Sequence, residues 1–202
     1  MWSQRESIAK CLSRGGVTRL LDARRQLARH FGEPEGEDLG SRQPAPVPLM
    51  PAHTRYDGNL YRKIDKSLWP EVAKLENVAV IIISALYGLL IPGEAIREYN
   101  RTMGETIAPR LRLARWWSER GLGSLLVEYI KRNKVAVVHD FLSGSYVRIA
   151  NELSSLGPTV KVQHHSYPGL GSGADYHRGQ DVRKLLVREL RNGKPNAMGT
   201  AP

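Results

Sequence analysis

Residues 78–93 read Val78-Ala-Val-Ile-Ile-Ile-Ser84-Ala-Leu-Tyr87-Gly88-Leu-Leu-Ile-Pro92-Gly93. Val78 to Ala85 is apolar and largely β-branched on both alternating faces, the pattern of a strand covered on both sides. Tyr87-Gly88 and Ile91-Pro92-Gly93 mark turns. Two later stretches repeat the pattern: Lys134 to Phe141 (KVAVVHDF) and Thr159 to His164 (TVKVQH). Between them lie helical patterns from about Pro109 to Asn133, with a break at Gly121–Gly123, and from Ser145 to Leu156. A basic helix is predicted for Asp181 to Arg191. Strand, helix, strand, helix, strand in this order predicts an α/β fold: a small parallel or mixed sheet flanked by helices, in a single domain. Further short strands are expected in the first 60 residues.

Outward from this centre the composition changes. Residues 1–32 form an N-terminal helical segment, broken near Gly15-Gly16. Leu20, Leu21, Leu27 and Ala28 make its apolar stripe, with Arg24, Arg25 and Arg29 on other faces. Residues 33–51 hold Glu33, Glu35, Glu37 and Asp38 among prolines and glycines. They read as an extended or mobile loop, with too little apolar surface to offset its ordering entropy. Residues 52–191 are the α/β domain, and 192–202 a disordered tail.

The 202 residues are enough for one domain with a substantial core. A formal net charge of +10 favours contact with polyanions. The lone Cys11 excludes an intramolecular disulfide and any multi-cysteine metal site. The longest apolar run, Val78 to Leu90, is too short to cross a bilayer core of about 30 Å as a helix. Residues near the start mix charge with apolar groups and lack a signal-peptide core. The expectation is a cytoplasmic protein with no membrane contact.

Several segments carry chemistry. Ser84 and Tyr87 place a hydroxyl and a ring at the carboxyl end of the first strand, where open α/β sheets bind ligands. Gly88 lets the backbone turn there and leaves amides open. Ser143-Gly144-Ser145 repeats the arrangement before a helix, so the two loops together suggest an anion-accepting cleft. Ordinary turns with serine caps explain the same residues. His164 and His165 point to opposite strand faces and so do not share an ion. No metal site and no cofactor are predicted, and His164 is placed in the cleft as a phosphate contact or acid/base. Arg110, Arg112, Arg115 and Arg120 flank Trp116-Trp117, a combination suited to phosphate contact with base stacking. Arg178, Arg183, Lys184, Arg188 and Arg191 make the last helix basic, with Lys184 and Arg188 on one face. The same residues also fit buried tryptophans and solvated charge. Tyr167-Pro-Gly-Leu-Gly-Ser-Gly-Ala-Asp175 is similar to the hairpin of helix-hairpin-helix modules, but a strand precedes it, so it reads as a plain Gly-rich loop.

Tyr56-Asp57-Gly58, Tyr61, Ser84-Ala-Leu86-Tyr87-Gly88-Leu-Leu90, Pro92, Tyr99 and Met103 form an ordered series. Trp117 and Asp140-Phe-Leu-Ser-Gly-Ser-Tyr146 extend it. In this the chain, over about residues 52–190, resembles the YaaA-type peroxide stress protein family. The resemblance implies a role in limiting oxidative damage and association with DNA. It adds Tyr56, Asp57, Tyr61, Tyr99 and Tyr146 to the cleft expected around Ser84, Tyr87, Gly88, Ser143 and His164. Members usually begin with a core strand, and Ser7 to Arg14 lacks one. Three functions remain open: a DNA-binding stress protein, an enzyme acting on a nucleotide or nucleic-acid base, and a partner module using the N-terminal apolar stripe.

Overall fold

A computed structural model describes residues 7–193. Of the tail expected over 192–202, residues 194–202 lie outside them, as do the first six residues, and Asn192 ends a helix. A 3-10 turn at Ile8–Cys11 leads into helix α1 (Arg14–Phe31). The Ser13 side chain caps α1 by accepting the Gly16 amide at 3.1 Å, a contact typically worth about 1 kcal/mol. The break thus falls at Leu12-Ser13, and both glycines lie within the first turn. Leu20, Ala23, Leu27 and Ala28 are buried in the main core, so the apolar stripe faces inward and is not free for a partner. Cys11 is buried in the same core.

The acidic, proline-rich segment is anchored. Leu39 enters the core and Asp38 is buried in a 3-10 turn at Glu37–Leu39. Arg97 also donates to the Pro34 carbonyl at 2.7 Å, an anchor that composition alone does not show. Its end forms β1 (Met50–Pro51), followed by α2 (Ala52–Arg55) and α3 (Leu68–Val72).

The deciding stretch is a hairpin. Only Ile82–Ser84 is strand (β2), and it pairs antiparallel with β3 (Gly88–Leu90), Ser84 opposite Gly88. Three residues turn the chain, and Gly88 takes the left-handed position (φ 68°) that such loops require. A Cβ there would come within 2.8 Å of the Trp117 ring. Val78 and Val80 leave the strand to pack on a second small cluster of Ile64, Trp69, Val72 and Leu186. Next come β4 (Ala95–Ile96), paired with β1, and the hairpin β5 (Thr106–Ala108)–β6 (Leu111–Arg112), which turns through Arg110 at φ 61°.

Helices α4 (Leu113–Glu119) and α5 (Leu122–Arg132) are separated at Gly121 (φ 71°), within the break expected at 121–123. β7 (Val137–Asp140) runs parallel to β8 (Lys161–His164), with Asp140 opposite His164. Two 3-10 turns flanking α6 (Val147–Ala150) connect them. Helix α7 (Ala174–Asn192) starts seven residues earlier than its charge pattern suggested and docks on the segment around Leu60 and α3.

The protein is a mixed α/β, single-domain structure. The sheet is divided, among the described residues, into four two-stranded pairs, of which β7–β8 is parallel. No strand precedes Met50 among those residues. No described helix is long and apolar enough to cross a membrane.

Candidate functional site

The hairpin turn organises a cluster of tyrosines. The Ser84 hydroxyl accepts the Tyr87 amide at 3.0 Å and meets the Tyr99 hydroxyl at 2.7 Å. Tyr99 in turn meets the Tyr56 hydroxyl at 2.6 Å. Tyr56 stacks on Tyr61 with ring centroids 5.0 Å apart. Tyr146 lies close enough to Tyr61 and Tyr99 for their charges to couple. Burial, reinforced by neighbouring tyrosines, holds Tyr56, Tyr61 and Tyr146 above the ordinary phenol range, and burial does the same for Tyr99. All four therefore stay protonated at neutral pH. The cluster offers neutral hydroxyls to a ligand, and a phenolate nucleophile is not on offer.

Six of the ten residues expected in the cleft thus come together: Tyr56, Tyr61, Ser84, Tyr87, Tyr99 and Tyr146. Three of the ten belong to the interior instead of an open rim, Ser84 among them at 2% exposure. Tyr87 is fully buried, and Gly88 is sealed under Trp117. The Tyr87 hydroxyl donates to Asp38 Oδ2 at 2.6 Å and accepts the Arg97 amide at 3.1 Å. The two-pronged pair of Arg97 with Asp38 (2.9 and 2.8 Å) continues inward. Arg24 donates to Glu94 Oε1 at 2.8 Å and to the carbonyls of Tyr87 and Leu89 at 2.9 and 2.8 Å. Arg24 and Arg97 are only 2% and 1% exposed. Two guanidinium groups and two carboxylates balance one another there, which is what lets charge stay buried. Arg24 therefore faces the core, contrary to its placement on an outer helix face.

The other expected residues scatter. Asp57 is exposed and meets Arg62 at 3.5 Å. Ser143 caps the turn before α6, its carbonyl accepting the Tyr146 amide at 2.8 Å. His164 bonds Asp140 Oδ2 at 2.7 Å at the end of the parallel pair. His165 faces the other way, stacking on Phe141 at 4.1 Å and meeting His139 at 3.1 Å. Burial, then the charges of His165 and Arg188, keep His139 below the usual imidazole range. No group of three His, Cys, Asp or Glu among the described residues is placed to hold a metal.

The basic groups divide. Trp116 and Trp117 are buried, and Trp117 donates its indole N–H to the Ala85 carbonyl at 2.8 Å, so neither ring is free to stack on a base. Arg178 is also buried, paired with Asp175 and lying over Tyr167 at 5.1 Å. Arg183, Lys184 and Arg188 are exposed on α7, the latter two beside Asp181 and Glu189. Arg110, Arg112 and Arg115 line a concavity of about 390 Å³ with Arg148, Ser145, Gly144, Gly104, Met103 and Ala114. The turn after Ser143 therefore faces two ways, Tyr146 toward the tyrosines and Ser145 toward the arginines. Arg148 escaped the sequence reading, although it lies three residues beyond Ser145 in a helical pattern, which places both on one side.

The order of tyrosines around a Ser84 hairpin, closed by Tyr146, can be set against known families. The profile of the family described as peroxide stress protein YaaA matches residues 7–194. The chain belongs to this family. The match takes in the N-terminal segment as well as residues 52–190. Among curated individual proteins, none matches the chain.

Proposed function

We propose that this member of the peroxide stress family binds DNA through its basic surface in the cytoplasm and so limits oxidative damage. The observation that carries the reading is where the surplus charge lies. Arg24 and Arg97 are neutralised inside, while Arg110, Arg112, Arg148, Arg183, Lys184 and Arg188 are exposed. With both tryptophans buried, contact runs through phosphates and carries little sequence information. The test is binding of a 5′-hydroxyl duplex across a salt series. Each phosphate neutralised contributes a log–log slope of about −0.9, so replacing Arg183, Lys184 and Arg188 by Gln should flatten it by about two to three. No binding at low salt, or an unchanged slope, overturns the reading.

A second reading draws on the Ser84–Tyr99–Tyr56 hydroxyl chain: an enzyme acting on a nucleotide or nucleic-acid base. The half-buried, neutral hydroxyls of Tyr56 and Tyr99, backed by the buried Ser84, suit orienting a polar ligand. Ser84→Ala would then abolish turnover and leave the salt-dependent duplex binding intact.

A further inference from the structure

Arg110, Arg112 and Arg148 differ from the other arginines around them. Arg101 meets Glu105 at 2.9 Å and Arg115 meets Glu119 at 2.7 Å. Arg110, Arg112 and Arg148 have neither a hydrogen bond nor an ion pair from their side chains among the described residues, and no carboxylate lines the concavity they share. They converge from three separate places: the β5–β6 turn, the strand β6 and helix α6. The Ser145 hydroxyl joins them, and Gly104 and Gly144 leave the backbone bare on the same wall. Met103 and Ala114 supply an apolar portion.

Arg110 adds an independent sign. It occupies the left-handed region at φ 61°, where glycine or asparagine is the ordinary choice. Strained backbone under a functional side chain is a recurrent feature of ligand sites. Three guanidinium groups with a spare hydroxyl match the oxygens and double charge of a terminal phosphate, since each planar fork can bond two oxygens at once. A cavity of about 390 Å³ exceeds the needs of bare phosphate and falls in the range of small-ligand sites.

We propose that this pocket binds a phosphomonoester, the terminal phosphate of a mononucleotide or of a nucleic-acid 5′ end. The site goes beyond contact with a DNA backbone. An internal diester has one charge and two free oxygens, so it engages three guanidinium groups less fully than a phosphomonoester does. Ser145 lies in the turn that carries Tyr146, and Arg148 follows in α6, so one short segment joins this pocket to the tyrosine cluster.

The test is calorimetric titration of the full chain with 5′-AMP, adenosine and inorganic phosphate, and with one single strand bearing either a 5′-phosphate or a 5′-hydroxyl. 5′-AMP should bind, adenosine should not, and Arg112→Gln or Arg148→Gln should each weaken 5′-AMP about tenfold or more. All three arginines are exposed, so circular dichroism of these variants should match the parent. Preference for the 5′-phosphorylated strand over the 5′-hydroxyl strand assigns the pocket to nucleic-acid ends. Equal strand binding with tight 5′-AMP assigns it to free nucleotides. If 5′-AMP binds no better than adenosine, or the variants bind it unchanged, the proposal is wrong. In that case salt-dependent binding of the 5′-hydroxyl duplex would still stand or fall by itself, so the two readings fail separately.

Discussion

Arg24 and Arg97 lie inside the molecule with carboxylates and backbone carbonyls for partners, whereas Arg110, Arg112 and Arg148 stand at its surface with none among the described residues. The same side chain serves two ends. Inside, removing it from water is costly, and the structure surrounds it with acceptors that offset that cost. Outside, water hydrates the guanidinium at no structural expense, and the charge stays available to a ligand. Arginines that hold the fold together are therefore marked by full pairing, and those free for chemistry by its lack.

This contrast can be broken by experiment. Asp38→Ala leaves the buried Arg97 guanidinium with only the Glu33 carboxylate, 3.6 Å away, and strips the Tyr87 hydroxyl of its acceptor. It should destabilise the protein by about 3–5 kcal/mol in urea unfolding, a large share of a usual total of about 5–15. A loss below about 1 kcal/mol would mean the interior network holds nothing together. Tyr99→Phe sharpens the boundary between the two regions. It removes the hydroxyl joining Ser84 to Tyr56 while Ser84 keeps its bond to the Tyr87 amide. About 1 kcal/mol should be lost, and a cost like that of Asp38→Ala would place the tyrosines with the structural interior. Smallest of all, Arg148→Gln should leave the unfolding free energy in urea within about 0.5 kcal/mol of the parent. A larger drop would show that its guanidinium supports the fold after all.

Much of the architecture was legible. The stretches 134–141 and 159–164, read as strands with a helix between them, hold the parallel pair, and two glycines in three residues located the break before α5. Residues 78–85 misled because an apolar run looks the same whether it becomes one long strand or a short strand plus packing against another cluster. The three residues between Ser84 and Gly88, followed by Leu89 and Leu90, were the available sign of a hairpin. Of the candidate site, the tyrosines were found through family resemblance. Asp38, Glu94, Arg97 and the inward turn of Arg24 were not, because single charges in a loop or on a helix look solvated until a distant partner meets them. Arg148 had a local signal that went unread.

The interior network has a consequence for the order in which the chain assembles. Asp38 and Arg97 are 59 residues apart, Arg24 and Glu94 are 70 apart, and the Ile8 amide reaches Glu94 across 86. Contacts so remote repay the entropy of closing their loops only after nearer pieces exist, and the β2–β3 hairpin and the α4–α5 pair are near pieces. The acidic segment thus locks on at the end, as a latch over a body already formed. Loosening it should speed unfolding and leave the folding rate almost untouched, a split readable from the two arms of a denaturant chevron.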